Sequence, residues 1–174
     1  MFTRGVLSSP IFLDEDDRAT FVAILDVIVR RFGWKCYAYC LLTTHYHVLF
    51  ETPDANVSAG MQQLNGLYGT SFNRKHGRRG HVFESRFESK LVESDAHLIV
   101  LFQYIALNPV RTARPLCARP QDWRWSSYRA SAGYAPAPPF LDLSMLEIFH
   151  QDETRARHLL RDFVERPLPD DRAA

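Results

Sequence analysis

Cysteine is scarce in this chain: three among 174 residues, Cys36, Cys40 and Cys117. They form neither an even framework nor a CxxC pair, which argues against a disulfide scaffold and a zinc-thiolate centre and leaves Cys36 and Cys40 as small core residues. Long apolar runs are missing as well. No stretch approaches the ~20 residues that span a bilayer, and the first residues lack the charged-then-apolar layout of a signal peptide. The expectation is a cytoplasmic protein with no membrane partner. A net charge of +1 says little about partners, and no internal repeat is visible.

What is present reads as one folded domain with a small appendage. Residues are 46% hydrophobic, 13% aromatic and 24% charged, a balance that disordered chains do not have. Charge is unevenly placed. Asp14-Glu15-Asp16-Asp17 is acidic, whereas the segment from Asn73 to Arg86 carries Arg74, Lys75, Arg78, Arg79 and Arg86 with His76 and His81. Such a segment suits a nucleic-acid backbone, and from charge alone it suits a solvated helix end equally well.

Periodicity orders the elements. A small strand is expected around Phe2 to Val6. A helix then starts at Asp14, with acidic side chains at its positive end and Phe21, Ile24, Leu25, Ile28, Val29 and Phe32 at helical spacing, and Gly33 stops it. Trp34 to Leu42 and His45 to Glu51 read as a hairpin of strands. After Pro53 and Asn56, Val57, Met61, Leu64, Tyr68 and Phe72 mark a second helix. Its other face, with Gln62, Asn65, Gly66, Gly69, Thr70 and Asn73, is polar. Glu88 to Val92 reads as a last strand, and Ser94 or Asp95 opens a third helix that should end near Asn108, because Pro109 disfavours helical geometry before it.

Strand, helix, strand, strand, helix, strand is the split βαβ plan of a ferredoxin-like α+β domain, with an antiparallel sheet and helices on one face. The expected division is a domain over 1–112, a helical C-terminal extension over 113–166, and a frayed tail over 167–174. The extension holds the Trp125-Ser126-Ser127-Tyr128 block, a short helix at Leu143 to Phe149, and an amphipathic one at Glu153 to Val164.

Two local patterns carry chemistry. His45-Tyr46-His47 lies inside a strand, so both imidazoles point to one side and Tyr46 to the other, a chelating arrangement on a rigid element. Tyr104 and Asn108 are four apart on a helix and share a face. Taken singly, the tyrosine reads better as a half-buried packing residue, and the asparagine can simply cap the helix end.

Together with their neighbours these residues resemble a known family. The segment Trp34 to Glu51, Asn65-Gly66-x-Tyr68 with Phe72-Asn73-Arg74-x-His76-Gly77-Arg78, the run Gly80-His81-Val82-Phe83-x-x-Arg86-Phe87, and Tyr104-Ile105-x-x-Asn108-Pro109-Val110-Arg111 are similar to REP-associated tyrosine transposases, single-strand transposases of the HUH superfamily. The resemblance covers about residues 11 to 130, the Trp125 to Tyr128 block included.

It implies a DNA strand transferase or endonuclease. Tyr104 would be the nucleophile; His45, His47 and Asn108 would hold a divalent ion, Mg²⁺ or Mn²⁺. The substrate would be single-stranded or hairpin DNA from palindromic repeats, with phosphate contacts from Arg74, Lys75, Arg78, Arg79 and Arg86, and the protein, nucleoid-associated when bound, would act as monomer or homodimer. Trp123 and Trp125 are candidates either for stacking on bases or for pinning the extension to the sheet. Two departures stand out. The chain ahead of the first strand is short, and Thr44 precedes His45 where the family commonly has Asn. The alternatives are a non-catalytic regulator binding palindromic DNA and a metal-dependent phosphodiesterase using water.

Overall fold

The structure is a computed structural model and describes residues 1–6, 9–84 and 87–166. Its organising element is an antiparallel sheet of three strands in the order β1-β3-β2, where β1 is Phe2–Arg4, β2 is Lys35–Leu41 and β3 is His45–Glu51. β2 and β3 form the expected hairpin, closed by a hydrogen bond from the Leu42 amide to the His45 carbonyl (2.9 Å). The small first strand forms too, pairing Thr3 with Tyr46 and Arg4 with His45.

Alternation along β3 sends side chains into two separate cores. Tyr46 and Val48 join Phe21, Leu25, Met61, Leu64 and Tyr68 on one face, and Leu49 joins Phe102, Ile105 and Tyr128 on the other. A bulge in β2 between Cys36 and Ala38 inserts Tyr37 as an extra residue, which aims both Tyr37 and Ala38 at the second core while Cys36 stays with the first. Cys36 and Cys40 are fully buried small residues, as expected.

Two helices cover the first face. α1 (Glu15–Phe32) begins at an Asp14 N-cap and ends at Gly33, whose φ of 64° is the left-handed turn that glycine adopts without strain. α2 (Val57–His76) ends the same way at Gly77. The expectation of helices on one face holds for this pair. The third helix, α3 (Asp95–Arg111), takes the opposite face, because Phe102, Ile105 and Ala106 find their apolar partners in Tyr37, Ala38, Cys40 and Leu49. That places α3 on the side of β3 to which His45 and His47 point.

Two element boundaries differ from the sequence expectation. α3 does not stop at Asn108 but runs on to Arg111 with Pro109 inside it. Placed in the last turn, the proline forfeits one ladder bond; its ring is buried and its carbonyl accepts from the Leu116 amide (2.8 Å), so packing outweighs the local preference. Glu88 to Val92 does not form a strand; within it Glu88 alone makes an isolated β-bridge. The edge beside β1 is instead met earlier in the chain, where Phe83 bridges Gly5, with Val6 donating to Val82 O (3.1 Å) and Glu84 to Arg4 O (3.0 Å). Phe83 is held there by Tyr46 and Tyr68, ring centres 6.1 Å from each, an anchorage that Glu88-Ser89-Lys90 has no side chains to match.

The extension closes the other sheet edge. Trp125 O accepts from the Leu41 amide (2.9 Å), Ser127 and Tyr39 exchange bonds, and the Trp123 indole donates to Leu41 O (2.9 Å). Both tryptophans therefore pin the extension; the Trp125 indole reaches Glu15 at the start of α1 (3.1 Å). A four-residue α4 (Tyr128–Ser131), a 3-10 turn at Ser144–Ile148 and α5 (Glu153–Glu165) complete the second core. The tail over 167–174 lies outside the described residues. Among the described residues no helix is long and apolar enough to cross a membrane.

One buried charge ties the two helices of the first face together. Asp17, 2% exposed, closes a capping box with Asp14 and receives Lys75 Nζ (3.0 Å) and His76 Nε2 (2.9 Å) from the end of α2. Burial alone would raise its carboxyl pKa; the bonds from His76, the Leu13 amide and Lys75 outweigh it and hold the group below the ordinary 3.8. A pKa lowered in the folded state gives stability that is present above the unfolded value and lost as pH falls through the folded one. The urea midpoint is therefore expected to drop below about pH 4, and Asp17→Ala to destabilise the protein at pH 7 by about 3 kcal/mol while flattening that acid limb. A midpoint at pH 7 equal to the parent protein's would contradict the interlock.

Candidate active site

β3 presents His45 and His47 on the face covered by α3, their rings near perpendicular with centres 5.1 Å apart. Tyr46 between them is fully buried on the other side, its hydroxyl donating to Asn65 Oδ1 (2.6 Å) and its ring packed on Phe21. The spacer is thus locked from behind, and the two imidazoles inherit the rigidity of the strand. His45 is held further by Thr44, whose hydroxyl lies 3.1 Å from Nδ1. When Nδ1 carries the proton and the hydroxyl accepts it, Nε2 is the nitrogen that keeps its lone pair for a ligand bond.

α3 brings the other half. The Tyr104 ring meets His47 edge-on, centres 5.5 Å apart, and Asn108 one turn later also hydrogen-bonds His47. Asn108 is 9% exposed and its Nδ2 donates to the Tyr104 carbonyl (2.9 Å), which fixes the amide so that its oxygen is the atom turned to the imidazole. The strand pair and the helical pair, sixty residues apart in sequence, form one cluster.

Electrostatics keep both histidines neutral. Burial, then the neighbouring His45, push the His47 pKa down to about 3, against the opposing Asn108 bond. Burial, then Arg4 from the adjacent strand, lower that of His45. Two neutral imidazoles and an amide oxygen are a donor set that a divalent ion accepts. Imidazoles sharing one ion at nitrogen-metal distances of about 2 Å have ring centres about 5 Å apart, which is the spacing found. The residues present fit the group.

Accessibility singles out the tyrosine. Of the seven tyrosines, Tyr37, Tyr39, Tyr46, Tyr68 and Tyr128 are buried, whereas Tyr134 and Tyr104 are 41% and 49% exposed. The Tyr134 hydroxyl is bound to Glu165 (2.8 Å). Tyr104 therefore combines access with a place beside the histidines.

The basic residues are more dispersed. Arg74, Arg78 and Arg79 are exposed at and after the end of α2, with Arg78 over the Phe72 ring (5.5 Å). Lys75 is engaged with Asp14 (2.6 Å) and Asp17 (3.0 Å), so the acidic and basic clusters of the sequence meet each other. Arg86 lies outside the described residues. Sequence reasoning missed two neighbourhoods. Arg4 pairs across from His45, a contact only strand register reveals. Asp14, Asp17 and His76 bring ligand-type atoms within 4.8 Å of one another, but the Lys75 ammonium already occupies the carboxylates, so this cluster is a salt-bridged lock.

Comparison with known proteins bears on the family and the fold. No curated protein sequence matches the chain. A solved structure described as a REP-associated tyrosine transposase bound to a REP hairpin superposes with a TM-score of 0.61 at 16% identity, covering 82% of this chain and 84% of that one; at that identity the likeness shows a shared fold. A family model described as "Transposase IS200 like" matches residues 9–108, a span that takes in the histidine pair, Tyr104 and Asn108. The chain belongs to the IS200-like transposase family.

Proposed function

We propose that this protein cleaves and rejoins single-stranded or hairpin DNA through a covalent bond between Tyr104 and a DNA 5′ phosphate. The observation that carries the reading is the meeting of an accessible phenol with two neutral imidazoles and a carboxamide in one cluster, on a helix and a strand each fixed by its own core.

The Tyr104 hydroxyl oxygen attacks the scissile phosphorus, losing its proton. The bond from phosphorus to the 3′ oxygen breaks, and that oxygen leaves as a hydroxyl after taking up a proton. One phosphoester replaces another, so the 3′ hydroxyl of the same or a second strand reverses the step without ATP. A protonated phenol is a weak nucleophile at neutral pH, and charge accumulates on the phosphate oxygens as it attacks. His45, His47 and Asn108 would hold a divalent ion, which supplies polarisation of the phosphate and relief of that charge. Nitrogen donors favour Mn²⁺ over Mg²⁺ on ligand softness. Arg74, Arg78 and Arg79 offer exposed guanidinium groups to the DNA backbone, and Lys75 contributes less because its charge is matched by Asp14 and Asp17.

The decisive experiment offers the protein a palindromic hairpin oligonucleotide with unpaired flanks and Mn²⁺, and reads a protein-DNA adduct on a denaturing gel. The adduct is expected with the unaltered chain and absent from Tyr104→Phe. Cleavage that persists in Tyr104→Phe with protein-free products would replace this reading by hydrolysis with water. Hairpin binding unaffected by His47→Ala, with no cleavage under any metal, would replace it by a regulatory role.

A second prediction isolates the ion. Mn²⁺ affinity, followed by calorimetry without DNA, is expected to fall about tenfold in Thr44→Val, which removes the partner of His45 Nδ1, and to be kept in Thr44→Ser. Equal affinity in all three proteins would show that Thr44 does not set the imidazole.

A further inference from the structure

We propose that the C-terminal end of α3 carries a second phosphate site, a cleft bordered by Arg111, Arg119 and Arg166 that holds the backbone of the strand reacting at Tyr104. The inference rests on the reading of Tyr104 as the group facing DNA. It begins with the helix boundary: because α3 continues through Pro109, Arg111 is helical. Seven residues beyond Tyr104 and three beyond Asn108, it lies on the same side of the helix, about 10 Å further along the axis. A strand lying on that face from Tyr104 onward reaches Arg111 next.

Arg111 opens onto a cleft of about 360 Å³ between the end of α3, the turn Pro120–Asp122 and the last turn of α5, which Arg119 and Arg166 also line. Arg119 is held by two bonds to Asp122, 3.1 Å from Nε and 3.0 Å from a terminal nitrogen. The acidic side chain in the lining is Glu165. Its Oε1 accepts from the hydroxyls of Tyr128 (2.6 Å) and Tyr134 (2.8 Å) and its Oε2 from Gln121 (3.4 Å), so its oxygens are already engaged by donors of the extension. Arg119 is matched by Asp122, so Arg111 and Arg166 stand against the Glu165 carboxylate and leave the hollow with an excess of positive charge. Guanidinium forks match phosphate oxygens two at a time, and the helix face that Arg111 shares with Tyr104 makes a phosphodiester strand the fitting ligand, in preference to a free phosphate.

The test reads binding alone. A fluorescein-labelled oligothymidylate is titrated, in EDTA, with full-length protein carrying Tyr104→Phe, so neither covalent chemistry nor metal enters. Adding Arg111→Gln, and separately Arg166→Gln, is expected to weaken binding roughly three- to tenfold and to reduce the slope of log affinity against log salt by about 0.7 for each phosphate no longer neutralised. Arg155→Gln, at the exposed start of α5 and away from the cleft, is the control and should bind as the parent does. Affinity and slope in Arg111→Gln equal to those of the control would overturn the proposal. So would loss of inorganic phosphate binding without loss of oligothymidylate binding, which would mark a free-anion site. A failed adduct assay leaves this measurement standing, whereas a normal adduct with an unchanged slope overturns the cleft alone.

Discussion

Strand β3 has to satisfy two cores at once, and the architecture follows from that constraint. A strand buried on one side needs a single apolar set; here Tyr46 and Val48 belong to the core under α1 and α2, while the opposite set is His45, His47 and Leu49. The imidazoles occupy positions that would otherwise be apolar, under a helix that brings its own polar groups to meet them. Burial then keeps them neutral, and neutral imidazole is the form that donates a lone pair. The burial that makes the pair costly is the same burial that keeps its lone pairs free of protons.

The same constraint explains the support behind the site. Tyr46 fills the first core and also ends in a bond to Asn65 of α2, so the strand is registered from the side away from the chemistry. α1 and α2 are in turn locked by Asp17 with Lys75 and His76. On the other face α3 is tied to the extension, with the Gln103 side chain donating to Phe163 O of α5 (2.6 Å). Each half of the cluster is thus braced by helices that contribute none of its four residues.

Much of this was legible from local pattern. The alternation of His45, Tyr46 and His47, the four-residue step from Tyr104 to Asn108, the caps at Asp14 and Gly33, and the hairpin of β2 and β3 all depend on neighbours in the chain, and each stands where the sequence places it. What was not legible depends on contacts across long separations. Lys75 reads as a free cation until α2 is laid against α1. The end of α3 reads as Asn108 until the buried ring of Pro109 and the Leu116 amide are in place. The last strand reads as Glu88 to Val92 until Phe83 is seen bridging Gly5 and anchored on Tyr46 and Tyr68. That α3 lies across the sheet from α1 and α2 also escapes periodicity, which reports that a helix has an apolar face but not which side of a sheet receives it.

The bonds along the outer edge of β2 bear on how this chain can be divided. Tyr39 and Leu41 satisfy their backbone groups with Ser127 and Trp125, Cys36 O accepts from the Asp142 amide, and Tyr128 and Leu160 stand in the core that seats α3. A fragment ending near residue 112 would hold all four residues of the cluster in its sequence and yet lack the wall against which α3 rests. Its sheet would also present a bare strand edge, the kind of surface through which chains associate with one another. The four residues of the cluster lie within the span of the family match, but the smallest piece able to hold them in place is nearly the whole protein.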